Sequence, residues 1–197
     1  MGGRDYEMEA AVQSVEGRVP EPIVRALIVG SAGSNYGTLG GVFKQFFNRS
    51  RRKTGLRSKN VLVLTKDTVR VFTCQGGNDW PARVDEEIGA WPVGDVKVAA
   101  EAAEKWSAFS ASHSGSVTNR FYDITLTVPT TEEPIVVSCP RSDSARTTIQ
   151  ALEDATGSKP SRITARRRKK QEREREAGAQ GEESANAEPA EPGSAAD

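Results

Sequence analysis

The chain is poor in the residues that carry most protein chemistry: 197 residues include one histidine and two cysteines. Metal centres draw on clusters of about four such ligands at close spacing, so neither a metal site nor a bound cofactor is expected. Cys74 and Cys139 each close an apolar run, TVRVFTC and PIVVSC. They read as two small buried hydrophobes, and a disulfide requires the two strand ends to meet. No stretch approaches the roughly 20 apolar residues of a membrane span. The opening MGGRDYEMEAAVQSVEG carries four acidic residues and no apolar block of the kind a secretory signal needs. The N-myristoylation pattern wants Ser or Thr where Tyr6 stands. The expected location is the cytoplasm, with peripheral membrane contact as an extension of it. Aromatic residues make up 6% of the chain and form no base-stacking sheet pattern.

Catalytic patterns are absent too. The run Gly30-Ser31-Ala32-Gly33-Ser34-Asn35-Tyr36-Gly37 follows a strand-like segment, but its spacing is not GxGxxG and no Lys-Ser/Thr pair follows. It reads as a turn. Lys53-Thr54-Gly55 lacks the companion elements of a serine β-lactamase. His113 lies in the serine-rich stretch SASHSGS without a nucleophile elbow. The acidic groups Asp85-Glu86-Glu87 and Glu132-Glu133 read as solvated turn residues. No catalytic residue is assigned, and the chain is expected to be a non-enzymatic binding domain.

What is present is an uneven charge distribution hidden by a net charge of zero. Residues 1–22 carry a net −3, residues 23–66 nine basic and no acidic groups, residues 67–157 a net −7, and residues 158–197 a net +1. Such asymmetry bears on partners rather than on fold.

Hydrophobic periodicity predicts the elements. Met8, Ala11, Val12 and Val15 recur at helical spacing between Asp5 and Val15. Residues 23–30, IVRALIVG, read as a buried strand. Val42, Phe43, Phe46 and Phe47 share one face of a helix beginning near Thr38. NVLVLTKDTVRVFTC, residues 60–74, reads as a hairpin turning at Lys66-Asp67. Short strands are expected at 83–88, 95–99 and 103–109, with a corner at Gly89–Gly94 and with Trp106 and Phe109 as anchors. FYDITLTV, residues 121–128, alternates cleanly and pairs back with PIVVSC through PTTEEP. Ser142 or Asp143 caps a final helix with Ala145, Ile149 and Leu152 on one face, which Gly157 ends. Beyond it the composition cannot offset ordering entropy, so residues 158–197 are expected to be a disordered charged tail, with opposite charges at helical spacing that suit a transient helix over 164–176.

The succession VLVLTKDTVRVF, the Trp91-Pro92 corner leading into DVKV, FYDITLTV and a closing apolar helix resembles the bacterial PH-like domains, in particular their actinobacterial versions. The resemblance implies a mainly β (α+β) fold, a partly open antiparallel barrel of about seven strands capped by a C-terminal helix. It covers residues 22–157, with residues 1–21 a partly helical N-terminal segment. Its motifs are structural and leave the ligand open.

One surface stands out as a candidate binding patch: Lys44, Arg49, Arg51, Arg52, Lys53, Arg57 and Lys59, beside Phe43, Phe46 and Phe47. Cations at an anionic membrane contribute about 1 kcal/mol each, and eukaryotic PH domains grip phosphoinositides with a basic loop near their first strands. If the rings plug the core instead, the cationic patch stands without an inserting face. The leading expectation is an adaptor domain that engages a protein or peptide partner. The alternatives are anionic lipid through residues 42–59 and, last, nonspecific nucleic acid through the basic runs, including Arg166-Arg167-Arg168-Lys169-Lys170. Glu172, Glu174 and Glu176 compete for that second run, which reads as a solubilising tail.

Overall fold

A computed structural model describes residues 3–31, 54–75, 82–106, 118–165, 167–169 and 171–172. Its elements are α1 (Gly3–Val15), β1 (Ile23–Ser31), β2 (Asn60–Thr65), β3 (Thr68–Cys74), β4 (Val84–Pro92), β5 (Lys97–Trp106), β6 (Thr118–Thr127), β7 (Ile135–Pro140) and α2 (Asp143–Ala155). The expected helix near Thr38, the phenylalanines at 43, 46 and 47, and the loop around His113 lie outside the described residues. So does Phe109.

The seven strands form one antiparallel sheet in the order β4-β3-β2-β1-β7-β6-β5. β1 joins its two halves. It pairs with β2 from Ile23 to Val29 and with β7 only at Gly30 and Ser31. A short 3-10 turn, Val93–Asp95, carries the chain between the two edge strands, β4 and β5. The result is an open antiparallel sheet of seven strands followed by a helix, mostly β, consistent with a PH-like open barrel.

Local chemistry explains most boundaries. The Thr65 hydroxyl accepts from the Thr68 amide at 2.9 Å and the Asp67 amide at 3.3 Å, which closes the two-residue turn between β2 and β3. On β6, Tyr122, Ile124 and Leu126 alternate inward with at most 5% exposure, as period-two patterning requires. The Ser142 hydroxyl caps α2 by accepting from the Ala145 amide. At its other end Gly157 sits at φ +61°, where the Gly157 amide bonds Asp154 O and the Ser158 amide bonds Glu153 O. That pair of bonds closes the last turn and needs a residue free of Cβ strain.

Two cores lie on opposite faces of the first half-sheet. The larger joins Leu27, Leu62, Val71, Ile124 and Leu126 with Ala145, Ile149 and Leu152 of α2. The smaller sets Ala11 and Val15 of α1 against Ala26, Val61, Val63 and Phe72. β2 is therefore buried at every position instead of alternating. The helix of residues 3–15 is part of the fold, because without it the outer face of β1–β3 would be bare apolar surface.

Three expectations are corrected. First, β5 is one continuous strand where two short ones were expected at 95–99 and 103–109. Its alanine-rich run AAEAAE has low β propensity, but all ten residues from Lys97 to Trp106 pair with β6, and the ladder overrides propensity. Second, the corner expected at Gly89–Gly94 is partly strand: β4 runs to Pro92. Gly89 is needed there because an added Cβ would stand 2.3 Å from Cζ2 of Trp91. Third, order does not stop at residue 157. Residues 162–165, 167–169 and 171–172 are helical and Thr164 is fully buried. Residues 173–197 lie outside the described structure.

Candidate functional site

The patch expected from sequence is mostly beyond reach: Lys44, Arg49, Arg51, Arg52 and Lys53 lie outside the described residues. Arg57 and Lys59 are described and sit at the head of β2. There Asn60 is clamped to Arg57, its side chain accepting from the Arg57 amide at 3.0 Å and donating to the Arg57 carbonyl at 2.8 Å. The Arg57 guanidinium meets Asp85 at 2.5 Å, and the Lys59 carbonyl accepts from the Cys74 amide at 3.0 Å. The acidic run 85–87 is also corrected, from turn to strand. Asp85 and Glu87 lie on β4 and pair with Arg57 and Arg70. Arg70 also takes Glu21 at 2.7 Å. Burial pulls its pKa down, but the bonds to both carboxylates outweigh that and hold it above its ordinary value.

A different place gathers cations. A groove of about 1590 Å³ opens between β5, the start of α2 and the terminal helical residues, with Met8 and Arg25 at one side. Five arginines line it, Arg25, Arg141, Arg146, Arg162 and Arg167, against two carboxylates, Glu101 and Asp143. Neither Arg57 nor Lys59 is among its lining residues.

Tyr122 organises the floor. Its ring is 5% exposed. The Arg141 guanidinium lies 5.7 Å from the ring centroid, inside the range of a cation–π contact. Arg141 also donates from Nε to the Phe121 carbonyl at 3.0 Å and more weakly to the Ala103 carbonyl at 3.4 Å. Arg146 donates to the Tyr122 hydroxyl at 3.2 Å, and its guanidinium is held above its ordinary pKa by that hydroxyl and by Asp143. One tyrosine thus brings two cations together. From the terminal helical residues, Arg167 donates to the Thr147 hydroxyl at 2.8 Å.

The wall opposite is the outer edge of β5, which pairs with no further strand among the described residues. The Val98 amide donates to the Ser158 hydroxyl at 2.8 Å, away from β6. Backbone groups of an antiparallel strand turn to alternate sides with period two. Since the β5–β6 register is unbroken from Lys97 to Trp106, Ala100 and Ala102 present their amides and carbonyls to the same open side as Val98. Both alanines line the groove.

Sequence reasoning passed over this site. Arg25 comes from the basic stretch, Arg141 and Arg146 from the acidic one, and Arg162 and Arg167 from the presumed tail. The available signal was Ile163, a large apolar residue in an otherwise polar segment, which packs against the main core. Cys74 and Cys139 are buried thiols that form no disulfide, in the smaller and larger cores respectively. Among the described residues no group of three or more His, Cys, Asp or Glu is placed to hold a metal ion, and no described helix is long and apolar enough to cross a membrane. Comparison with family models, with curated proteins and with solved structures finds no match.

Proposed function

We propose that the chain is a non-catalytic binding domain that takes up an extended, acidic segment of a protein partner in the groove between β5 and α2. The observation that carries this reading is the open edge of β5 at Ala100 and Ala102 facing a groove with five arginines and two carboxylates. An extended peptide adds to an unpaired edge through main-chain hydrogen bonds, and side-chain sites along the groove supply selectivity. Guanidinium groups match carboxylates in bidentate geometry, and hydrogen bonds to charged groups are the stronger kind.

The test is binding of an array of acidic and charge-reversed peptides to the wild-type chain and to an Arg141→Gln/Arg146→Gln variant. Acidic peptides are expected to bind, with at least tenfold loss in the variant. Amide exchange at Ala100 and Ala102 should slow on binding, while that at Ala99 and Glu101, already paired with β6, stays unchanged. Indifference to peptide charge together with unchanged exchange would sink the reading.

The rival reading is attachment to anionic lipid through residues 42–59. Of its two described cations, Arg57 is already paired with Asp85. Co-sedimentation with phosphatidylserine vesicles that is lost on charge reversal at Lys44, Arg51, Arg52 and Lys53, and not in the Arg141/Arg146 variant, would put it first.

A further inference from the structure

Three arginines outside the groove are neutralised by carboxylates: Arg57 by Asp85, Arg70 by Glu21 and Glu87, Arg168 by Glu153 and Asp154. Among the described residues, those of the groove are not, except Arg146 beside Asp143. Arg141 donates to two carbonyls, Arg167 to a hydroxyl and Arg25 to the Met8 thioether. Arg162 has no hydrogen-bond or ion-pair partner among the described residues, and Arg146 meets Asp143 only at 3.6 Å. Cations gathered this way form a positive field whose complement is an anion from outside the described structure.

The sequence carries such an anion within contour reach of the groove. The terminal helical residues return along α2, where Glu153 takes Ser161, Thr164 and Arg168. They reach the groove wall at Arg167 and Gln171. Gln171 is held there by the Gln150 amide at 3.2 Å. Beyond Glu176 the sign changes: residues 177–197 contain Glu182, Glu183, Glu188, Glu191 and Asp197 and no lysine or arginine. Ten residue steps separate Glu172 from Glu182, a reach of at most about 33–36 Å. The stretch 177–188 has no proline, so every amide in it is able to donate to a strand edge. Pro189 and Pro192 end that property.

We propose that residues 177–197 occupy the arginine groove of their own chain, as an intramolecular acidic ligand that a partner must displace. The proposal rests on the reading of the groove as an acidic-peptide site. A tethered ligand competes at an effective concentration near the millimolar range, so even a weakly bound tail raises the threshold for partners in solution.

The experiment uses a fluorescein-labelled peptide of residues 177–197 as probe and the full chain as host. Fluorescence polarisation at low ionic strength compares the wild type with a chain neutralised by Glu182→Gln, Glu183→Gln, Glu188→Gln, Glu191→Gln and Asp197→Asn. The neutralised chain is expected to bind the probe at least tenfold more tightly, and adding Arg141→Gln and Arg146→Gln should abolish that binding. Equal affinity of the wild-type and neutralised chains overturns the tail as occupant and leaves the groove reading intact. Tight binding that survives the arginine substitutions overturns the groove as its seat. No binding to either chain overturns the groove reading and the tail with it.

Discussion

The Thr164 hydroxyl donates to the Glu153 carboxylate at 2.5 Å across a separation of eleven residues. Glu153 is 1% exposed and also accepts from the Ser161 amide at 2.9 Å and from Arg168 at 3.1 Å. A buried carboxylate is tolerated when its oxygens are met by donors and a cation. Those donors all come from the segment that follows α2, so this one residue ties that segment to the domain.

Removing a donor should therefore release the segment. Thr164→Val keeps the shape but leaves the buried carboxylate one hydrogen bond short, at a cost of about 1.5–3 kcal/mol. Urea unfolding gives the loss, and amide exchange should accelerate first around residues 161–165. Uniform acceleration over the whole sheet would mean that the latch is not a local one.

Gly89 exists for the sake of Trp91. The indole is 5% exposed and donates to the Thr130 hydroxyl at 2.7 Å, and it lies over the Gly89 Cα. Gly89→Ala forces the ring or the strand to move, with an expected loss of about 1–3 kcal/mol and a shift in tryptophan emission. A variant as stable as wild type would show that the indole adjusts freely.

Both cysteines should be inert to an aromatic disulfide reagent in the native chain and react fully in 6 M guanidinium, about the concentration range that unfolds even very stable domains. Burial raises the Cys74 thiol above its ordinary 9.0, with Lys59 opposing weakly. The unfolded thiol ionises near its ordinary value and the folded one only at higher pH. The contribution is thus complete below that value and is lost as pH rises from there through the folded pKa. Unfolding free energy should fall more steeply as pH rises from the ordinary thiol value of 9.0 in wild type than in Cys74→Ala. Parallel slopes would contradict it.

Helix α1 covers the outer face of β1 and β2, and Val15 is fully buried there. Val15→Asp places an unpaired charge between helix and sheet and should cost roughly 3 kcal/mol or more. Thermal unfolding checks this against Gln13→Asp on the exposed face, which should change little.

What the sequence determined by itself is what depends on neighbours along the chain. The 60–74 hairpin follows from its turn at Lys66-Asp67, the inward face of β6 from period-two alternation, and α2 from the Ser142 cap, the Ala145–Ile149–Leu152 stripe and Gly157. Tertiary structure alone decided the rest. AAEAAE is a strand only because β6 lies beside it, and Ser161, Thr164 and Arg168 are held only because Glu153 receives them. Charge shows the difference most plainly. Block by block, the basic excess lies in residues 23–66, with an acidic remainder. Yet the groove takes Arg25 from the first of these, Arg141 and Arg146 from the second, and Arg162 and Arg167 from the segment beyond. Periodicity and capping are local, and a sequence displays them directly. A cluster assembled from residues more than a hundred positions apart depends on long-range register, which comes into being only when the sheet closes.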